Sequence, residues 1–95
     1  MITNHLLIKL KDNSRENVSK TRDILLSMRG KIQPLRSLQV EMNIRSTSSS
    51  YDLALIAQFA SMEDLEAYLI DPVHVKVAND IAAVIEHVAA VCYSC

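Results

Sequence analysis

Ser61-Met-Glu-Asp-Leu-Glu-Ala-Tyr-Leu-Ile-Asp-Pro-Val-His74 holds two helix starts, and the remaining elements can be placed around them. Ser61 precedes acidic residues, at a position where a helix N-terminus favours a hydroxyl acceptor and nearby negative charge. Asp71 and Pro72 repeat the signal as an N-cap residue followed by proline in the first turn. Because proline disfavours helical geometry in the residue before it, the sequence predicts two helices that meet at a bend.

Two polar side chains are predicted to face inward at this bend. Tyr68 lies with Leu65 on the apolar stripe of the first helix. His74 falls in the first turn of the second helix, on the same face as Ala78 and Ile81. We therefore expect a phenol and an imidazole to meet where the helix breaks.

Length and composition are typical of a small globular protein. The chain has 95 residues, of which 49% are hydrophobic and only 4% aromatic. These values predict one domain over residues 1–95 with an aliphatic core. A chain this short buries a limited share of its surface, so we also expect it to form an oligomer.

Charge and hydropathy exclude several partners. Ten basic and eleven acidic residues are interspersed and give a net charge of −1, which disfavours nucleic acid and anionic membrane surfaces. No apolar run reaches the length of a membrane span, and the first residues lack the pattern of a signal peptide. We expect a cytoplasmic protein.

Cys92 and Cys95 have C-x-x-C spacing, but they close the chain instead of opening a helix as redox motifs do. On a continuous strand, Cα atoms three residues apart lie about 10 Å from each other. A disulfide spans at most about 7 Å, and no further metal ligands are nearby in the sequence. We expect a buried strand cysteine, a frayed terminal one, and neither a metal nor a cofactor.

The other elements follow from periodicity and from turn residues. A helix is predicted over 14–29, where Gly30 supplies the residue that a helix C-terminus favours. Strands are predicted over 5–11, 38–43, 51–59 and 87–93. The strand at 38–43 alternates apolar and polar residues. The strand at 51–59 has apolar residues at both odd and even positions, as expected of a strand that is covered on both sides.

This order, βαββαβ with the second helix in two parts, predicts an α+β ferredoxin-like fold. Right-handed crossovers place four antiparallel strands in one sheet with both helices on the same face. The other face of the sheet is then too apolar to remain exposed to solvent. The simplest cover is a second copy of the chain. Such a homodimer would form a barrel-like interior lined by polar groups such as His5 and Lys9.

The segments quoted above resemble a known family, the stress-responsive dimeric α/β barrel (Dabb) domain, which includes the plant polyketide cyclase olivetolic acid cyclase. The resemblance lies in His5-Leu-Leu-Ile-Lys-Leu-Lys, in residues 51–61, and most specifically in Tyr68-Leu-Ile-Asp-Pro-Val-His74. It implies the same dimeric barrel, acid–base roles for Tyr68 and His74, and a third site residue in His5.

For function, His74 is interpreted as a general base that takes a proton from an activated C–H of a polyketide-like or aromatic substrate. Tyr68 would then hydrogen-bond the carbonyl oxygen on which enolate charge develops. The alternative is structural. In that interpretation His74 donates to a backbone carbonyl and Tyr68 is a core side chain.

Three classes of function stay open. The first is a cofactor-free enzyme, either a cyclase or lyase or a small monooxygenase or isomerase. The second is a binding module for a small apolar ligand, and the third is a non-catalytic stress-related protein. A filled interior favours the third class and an apolar pocket the second. A pocket on which Tyr68 and His74 converge favours the first.

Overall fold

A computed structural model describes residues 1–94, and its elements follow the predicted order. The strands are β1 (Ile2–Leu10), β2 (Ser37–Met42), β3 (Leu53–Phe59) and β4 (Ile85–Ser94). The helices are α1 (Arg15–Leu26), α2 (Met62–Ile70) and α3 (Pro72–Ala82). Cys95 lies outside the described residues.

The four strands form one antiparallel sheet in the order β2-β3-β1-β4. With helices on one face only, this is the predicted ferredoxin-like βαββαβ fold. β1 is central, between β3 and β4, so that Leu6 pairs with Leu55 on one side and with Ala90 on the other. The first and last strands of the chain are therefore neighbours, and the site described below depends on both.

The predicted caps start both helices of the second crossover. The Ser61 side chain accepts from the Asp64 N–H at 3.2 Å, and the Asp71 carboxylate accepts from the Val73 N–H at 2.8 Å. Asp71 has extended backbone angles, φ −63° and ψ 135°, and Pro72 follows as the first residue of α3. One residue thus ends α2, caps α3 and sets the bend between them.

α1 ends earlier than its sequence pattern predicts. The N–H groups of Met28 and Arg29 bond three residues back, to Leu25 and Leu26, which is the tighter geometry common at helix ends. Gly30 then takes a φ of 79°, in the left-handed region that favours glycine. The predicted stop at glycine is present, and a turn fills the residues before it.

Alternate strand residues bury against the helices and make the core. In β3 these are Leu53, Leu55, Ala57 and Phe59, and α1 contributes Val18, Thr21 and Leu25. The core is aliphatic apart from Phe59 and Tyr68, whose rings lie 4.9 Å apart. One face of α1 therefore packs against the sheet, while the rest of the helix is at the surface.

The opposite face of the sheet has no helix on it, and we call it the open face. It is apolar in its centre, with Ile56 half-buried and Leu7 and Val91 exposed. Its residues alternate along each strand with those that face the helices. They are Thr3, His5, Leu7, Lys9, Ser37, Gln39, Glu41, Ala54, Ile56, Gln58, His87, Ala89, Val91 and Tyr93.

The exposure of Cys92 differs from the sequence prediction. Cys92 is exposed and unpaired, so the prediction that it is buried was wrong. It lies on β4, an edge strand that is exposed over most of its length.

Within residues 1–94, no helix has the length and apolar character needed to cross a bilayer.

Candidate functional site

The bend between α2 and α3 brings Tyr68 and His74 into contact. Their ring centroids lie 4.4 Å apart with the planes inclined at 51°. Tyr68 is in the last turn of α2 and His74 in the first turn of α3. Because Asp71 between them is extended, the chain turns and the two rings meet as the sequence predicts.

One hydrogen bond orients His74. Its Nδ1 lies 3.0 Å from the carbonyl oxygen of Leu69, near the end of α2. A carbonyl oxygen only accepts, so Nδ1 carries the proton in this bond. In the neutral imidazole that leaves Nε2 with its lone pair, which makes Nε2 the basic atom of the ring.

The Tyr68 side chain is buried, and the hydrogen bond that its hydroxyl makes is weak. The residue is 2% exposed, and its hydroxyl has one hydrogen-bond partner among residues 1–94, the Met28 sulfur at 3.9 Å. A thioether is a weak acceptor. Burial raises the pKa of the Tyr68 phenol from 10.0 to about 12. At neutral pH it is therefore a protonated donor that lacks a strong acceptor.

Both rings line a cavity of about 160 Å³ between the helices and the sheet. All its other lining residues are apolar, namely Leu6, Ile8, Leu25, Met28, Leu55, Val77, Ala78, Ile81, Ile85 and Val88. Ala78 and Ile81 are the neighbours of His74 expected from helical spacing. The site is thus an apolar cavity with two polar groups at one end.

His5 lies on the other side of the sheet. Leu6 and Ile8 line the cavity, and side chains alternate along a strand, so His5 belongs to the open face. Its Nδ1 is 3.5 Å from the Tyr93 hydroxyl. The structure therefore brings Tyr68 and His74 together without His5. The cavity of Tyr68 and His74 lies on the helix side of the sheet, and His5 lies on the face that is proposed to meet a second copy.

Asp52 is a buried polar residue that the sequence analysis missed. It is 7% exposed, and its carboxylate accepts from the Leu10 N–H at 2.8 Å and from Asn13 Nδ2 at 3.3 Å. These bonds tie the start of β3 to the end of β1. The available signal was an acidic residue directly before an apolar strand.

Comparison with known proteins identifies the family. A family model described as the stress responsive A/B barrel domain matches residues 2–95. The chain belongs to this family. Among curated proteins, none matches the sequence.

Solved structures show the same fold as this A/B barrel domain at low sequence identity. A dimeric protein of unknown function with a ferredoxin-like fold, from Bacteroides fragilis, is 22% identical with a TM-score of 0.84, over 99% of this chain and 95% of that one. An Arabidopsis thaliana protein is 19% identical with a TM-score of 0.86, over 100% and 95%. Hydroxynitrile lyase from Passiflora edulis is 10% identical with a TM-score of 0.82, over 97% and 90%.

Proposed function

We propose that this A/B barrel protein catalyses cofactor-free proton transfer on a small aromatic or polyketide-like ketone, in a cyclase-type or lyase-type reaction. The observation that carries the proposal is the contact of Tyr68 and His74, with ring centroids 4.4 Å apart, at the end of one apolar cavity. A base and a hydrogen-bond donor beside one cavity are the minimum that enolate chemistry requires.

In this proposal His74 is the general base. Its Nδ1–H is held by the Leu69 carbonyl at 3.0 Å, and Nε2 then accepts the proton from the substrate carbon. When the imidazole becomes cationic, the same carbonyl stabilises the Nδ1–H. The backbone thus takes the orienting role that a carboxylate has in other acid–base sites.

Tyr68 supplies the stabilising donor. Its pKa of about 12 keeps the phenol protonated, and its present partner, a sulfur at 3.9 Å, is easily exchanged for a better acceptor. A substrate carbonyl oxygen is such an acceptor. The bond strengthens as negative charge develops on that oxygen, so the donor favours the transition state over the bound ketone.

The cavity limits the size of the substrate. At about 160 Å³ it is close to the apolar cavity of about 150 Å³ that binds benzene in an engineered protein. One aromatic ring or a short acyl chain therefore fits. The fold also supports the class of reaction, since the Passiflora edulis protein of the same fold is a hydroxynitrile lyase.

We also propose a homodimer joined through the open face. Val91 is 56% exposed there, and this face is the large surface of the sheet left without helices. The related Bacteroides fragilis protein is described as dimeric. In such a dimer His5 lines the barrel interior instead of the Tyr68–His74 cavity.

A second candidate is a binding or structural role without catalysis. The same Nδ1–Leu69 hydrogen bond satisfies a carbonyl at the end of α2, and the Tyr68 ring packs on Phe59. Both contacts stabilise the bend whether or not a substrate is present. A protein of this kind would bind an aromatic ligand in the cavity without turning it over.

Deuterium exchange separates the two candidates. In D₂O, we expect the protein to accelerate exchange at the carbon next to the carbonyl of acetophenone, measured by mass spectrometry. His74→Gln and Tyr68→Phe should each reduce the acceleration by about 10²-fold or more, the usual contribution of a positioned acid or base. His5→Gln is the matched control and should keep the rate. Saturable binding of acetophenone without any acceleration would support the non-catalytic role instead.

A further inference from the structure

A second cavity, of about 490 Å³, lies between α1 and the segment that follows β2. It shares no lining residue with the Tyr68–His74 cavity. Its volume falls within the range of about 300 to 1,000 Å³ that is usual for small-molecule sites. It is the larger of the two cavities.

Two arginines of α1 line this cavity, and each has N–H groups without an acceptor among the described residues. Arg15 and Arg22 are seven residues apart, which places them on one face of the helix with Val18 between them. Within residues 1–94, Arg15 has no hydrogen bond or ion pair. Arg22 has one exposed ion pair with Asp23 at 3.4 Å, and its Nε is buried without any acceptor among the described residues.

The carboxylates that line the cavity already have donors of their own. Asp52 accepts from the Leu10 N–H and from Asn13, and Glu41 accepts from Gln39 Nε2 at 3.0 Å. The cavity therefore contains carboxylates that already accept hydrogen bonds, an exposed Arg15, and an Arg22 whose buried Nε–H has no acceptor among the described residues. A buried N–H without a partner is unusual in folded proteins, and a ligand with an anionic acceptor group would satisfy it.

The rest of the wall is partly apolar. Val18 is buried, Met42 is half-buried, and Ile44 is fully exposed on the segment that borders the cavity. We infer that this cavity binds a small organic acid, with its oxyanion group on Arg15 and Arg22 and a short apolar body against Val18, Met42 and Ile44. A guanidinium group binds a carboxylate or phosphate through two parallel hydrogen bonds.

The test uses phenyl phosphate and benzoate, each with one aromatic ring and one oxyanion group. In ¹H–¹⁵N NMR spectra of the full chain, either probe at millimolar concentration should shift the Arg22 Nε–H signal and the backbone signals of residues 42–46 in a saturable way. Tighter binding of phenyl phosphate assigns the site to phosphate esters, and tighter binding of benzoate assigns it to carboxylic acids.

Variants test the role of the arginines. Arg22→Gln and Arg15→Gln should each weaken binding about tenfold, which corresponds to about 1.4 kcal/mol. Arg22→Lys keeps the charge but loses the Nε–H, so it should also weaken binding. Arg36→Gln, at an exposed arginine outside this cavity, is the matched control and should bind like the wild type.

Three results would overturn the inference. They are the absence of a saturable shift at Arg22, equal affinity of the Arg15→Gln/Arg22→Gln double variant and the wild type, and binding of inorganic phosphate as tight as that of phenyl phosphate. Thermal unfolding of each variant checks that the fold is retained. Because the two cavities share no residues, failure here would leave the acetophenone exchange assay unaffected.

Discussion

At the scale of single residues, the contacts of His74 and Tyr68 stabilise the fold and are also compatible with the roles proposed for them. The Leu69 carbonyl fixes the His74 ring and leaves Nε2 as the basic atom. Burial keeps the Tyr68 phenol protonated and next to a sulfur that is a poor acceptor. His74 is held through Nδ1, whereas Tyr68 is held by the packing of its ring on Phe59 and makes only a weak hydrogen bond through its hydroxyl among the described residues.

The Tyr68 phenol gives a prediction about pH. Its folded pKa is about 12 against an ordinary value of 10.0, so unfolded chains release this proton first. The resulting stability is fully present below pH 10 and is lost as the pH rises to about 12. The shift corresponds to a free energy on the order of 3 kcal/mol, because one pKa unit is worth roughly 1.4 kcal/mol.

Urea denaturation at several pH values measures this effect. We expect the free energy of unfolding of the wild type to fall more steeply above pH 10 than that of Tyr68→Phe, which lacks the titrating group. Parallel curves for the two proteins would show that the phenol titrates normally and that the hydroxyl is not enclosed.

At the scale of elements, the Asp71-Pro72 pair ends one helix and begins the next. The Asp71 carboxylate satisfies the Val73 N–H at 2.8 Å, and its extended backbone sets the angle at which α3 leaves α2. The bend in turn sets the distance between Tyr68 and His74. A local signal that is readable in the sequence therefore determines the geometry of the candidate site.

Removing this cap should lower the free energy of unfolding by about the contribution of one hydrogen bond. Asp71→Ala is expected to lower the free energy of unfolding by about 1 kcal/mol, the usual value of an N-cap. Asp71→Asn, which retains an acceptor oxygen, should cost much less and is the matched control. Chemical denaturation measures both. A loss of acetophenone binding by Asp71→Ala with unchanged stability would instead make Asp71 a ligand contact.

The sequence predicted the parts of the site that are local. The caps at Ser61 and Asp71, the stop at Gly30 and the shared face of His74, Ala78 and Ile81 depend on residues within a turn or two of each other. These were identified correctly.

Strand pairing and edge position were harder to predict. The sequence gives no direct sign that β4 would leave Cys92 exposed. It also gives none that Leu10 and Asn13 would donate to Asp52, 42 and 39 residues away. The separation of His5 from His74 follows from the alternation of β1, once the helix-facing side of that strand is known.

At the scale of the whole molecule, one face of the sheet carries the helices and the candidate site, and the other is open. A sheet with exposed aliphatic residues on a chain of 95 residues favours association. The proposed dimer would bury the open face and leave the cavity of Tyr68 and His74 in each protomer.

Ile56→Asp tests the dimer. Ile56 is half-buried at the centre of the open face, between His5 and Gln39 in the strand register, and an unpaired carboxylate buried there would cost several kcal/mol. Sedimentation should show a dimeric wild type and a monomeric or unfolded variant. Ile70→Asp is the matched control, since Ile70 is 79% exposed at the end of α2. A monomeric wild type at micromolar concentration would contradict the proposal.

The proposed function depends on a basic Nε2 that His74 presents to a ligand bound beside Tyr68. The most direct test is ¹⁵N NMR of the His74 imidazole during titration with acetophenone. We expect the Nδ1–H tautomer in the free protein, a saturable shift of the Nε2 signal on binding, and weaker binding by Tyr68→Phe. An Nε2–H tautomer, or an Nε2 signal that does not move while acetophenone binds, would contradict the proposed role of His74.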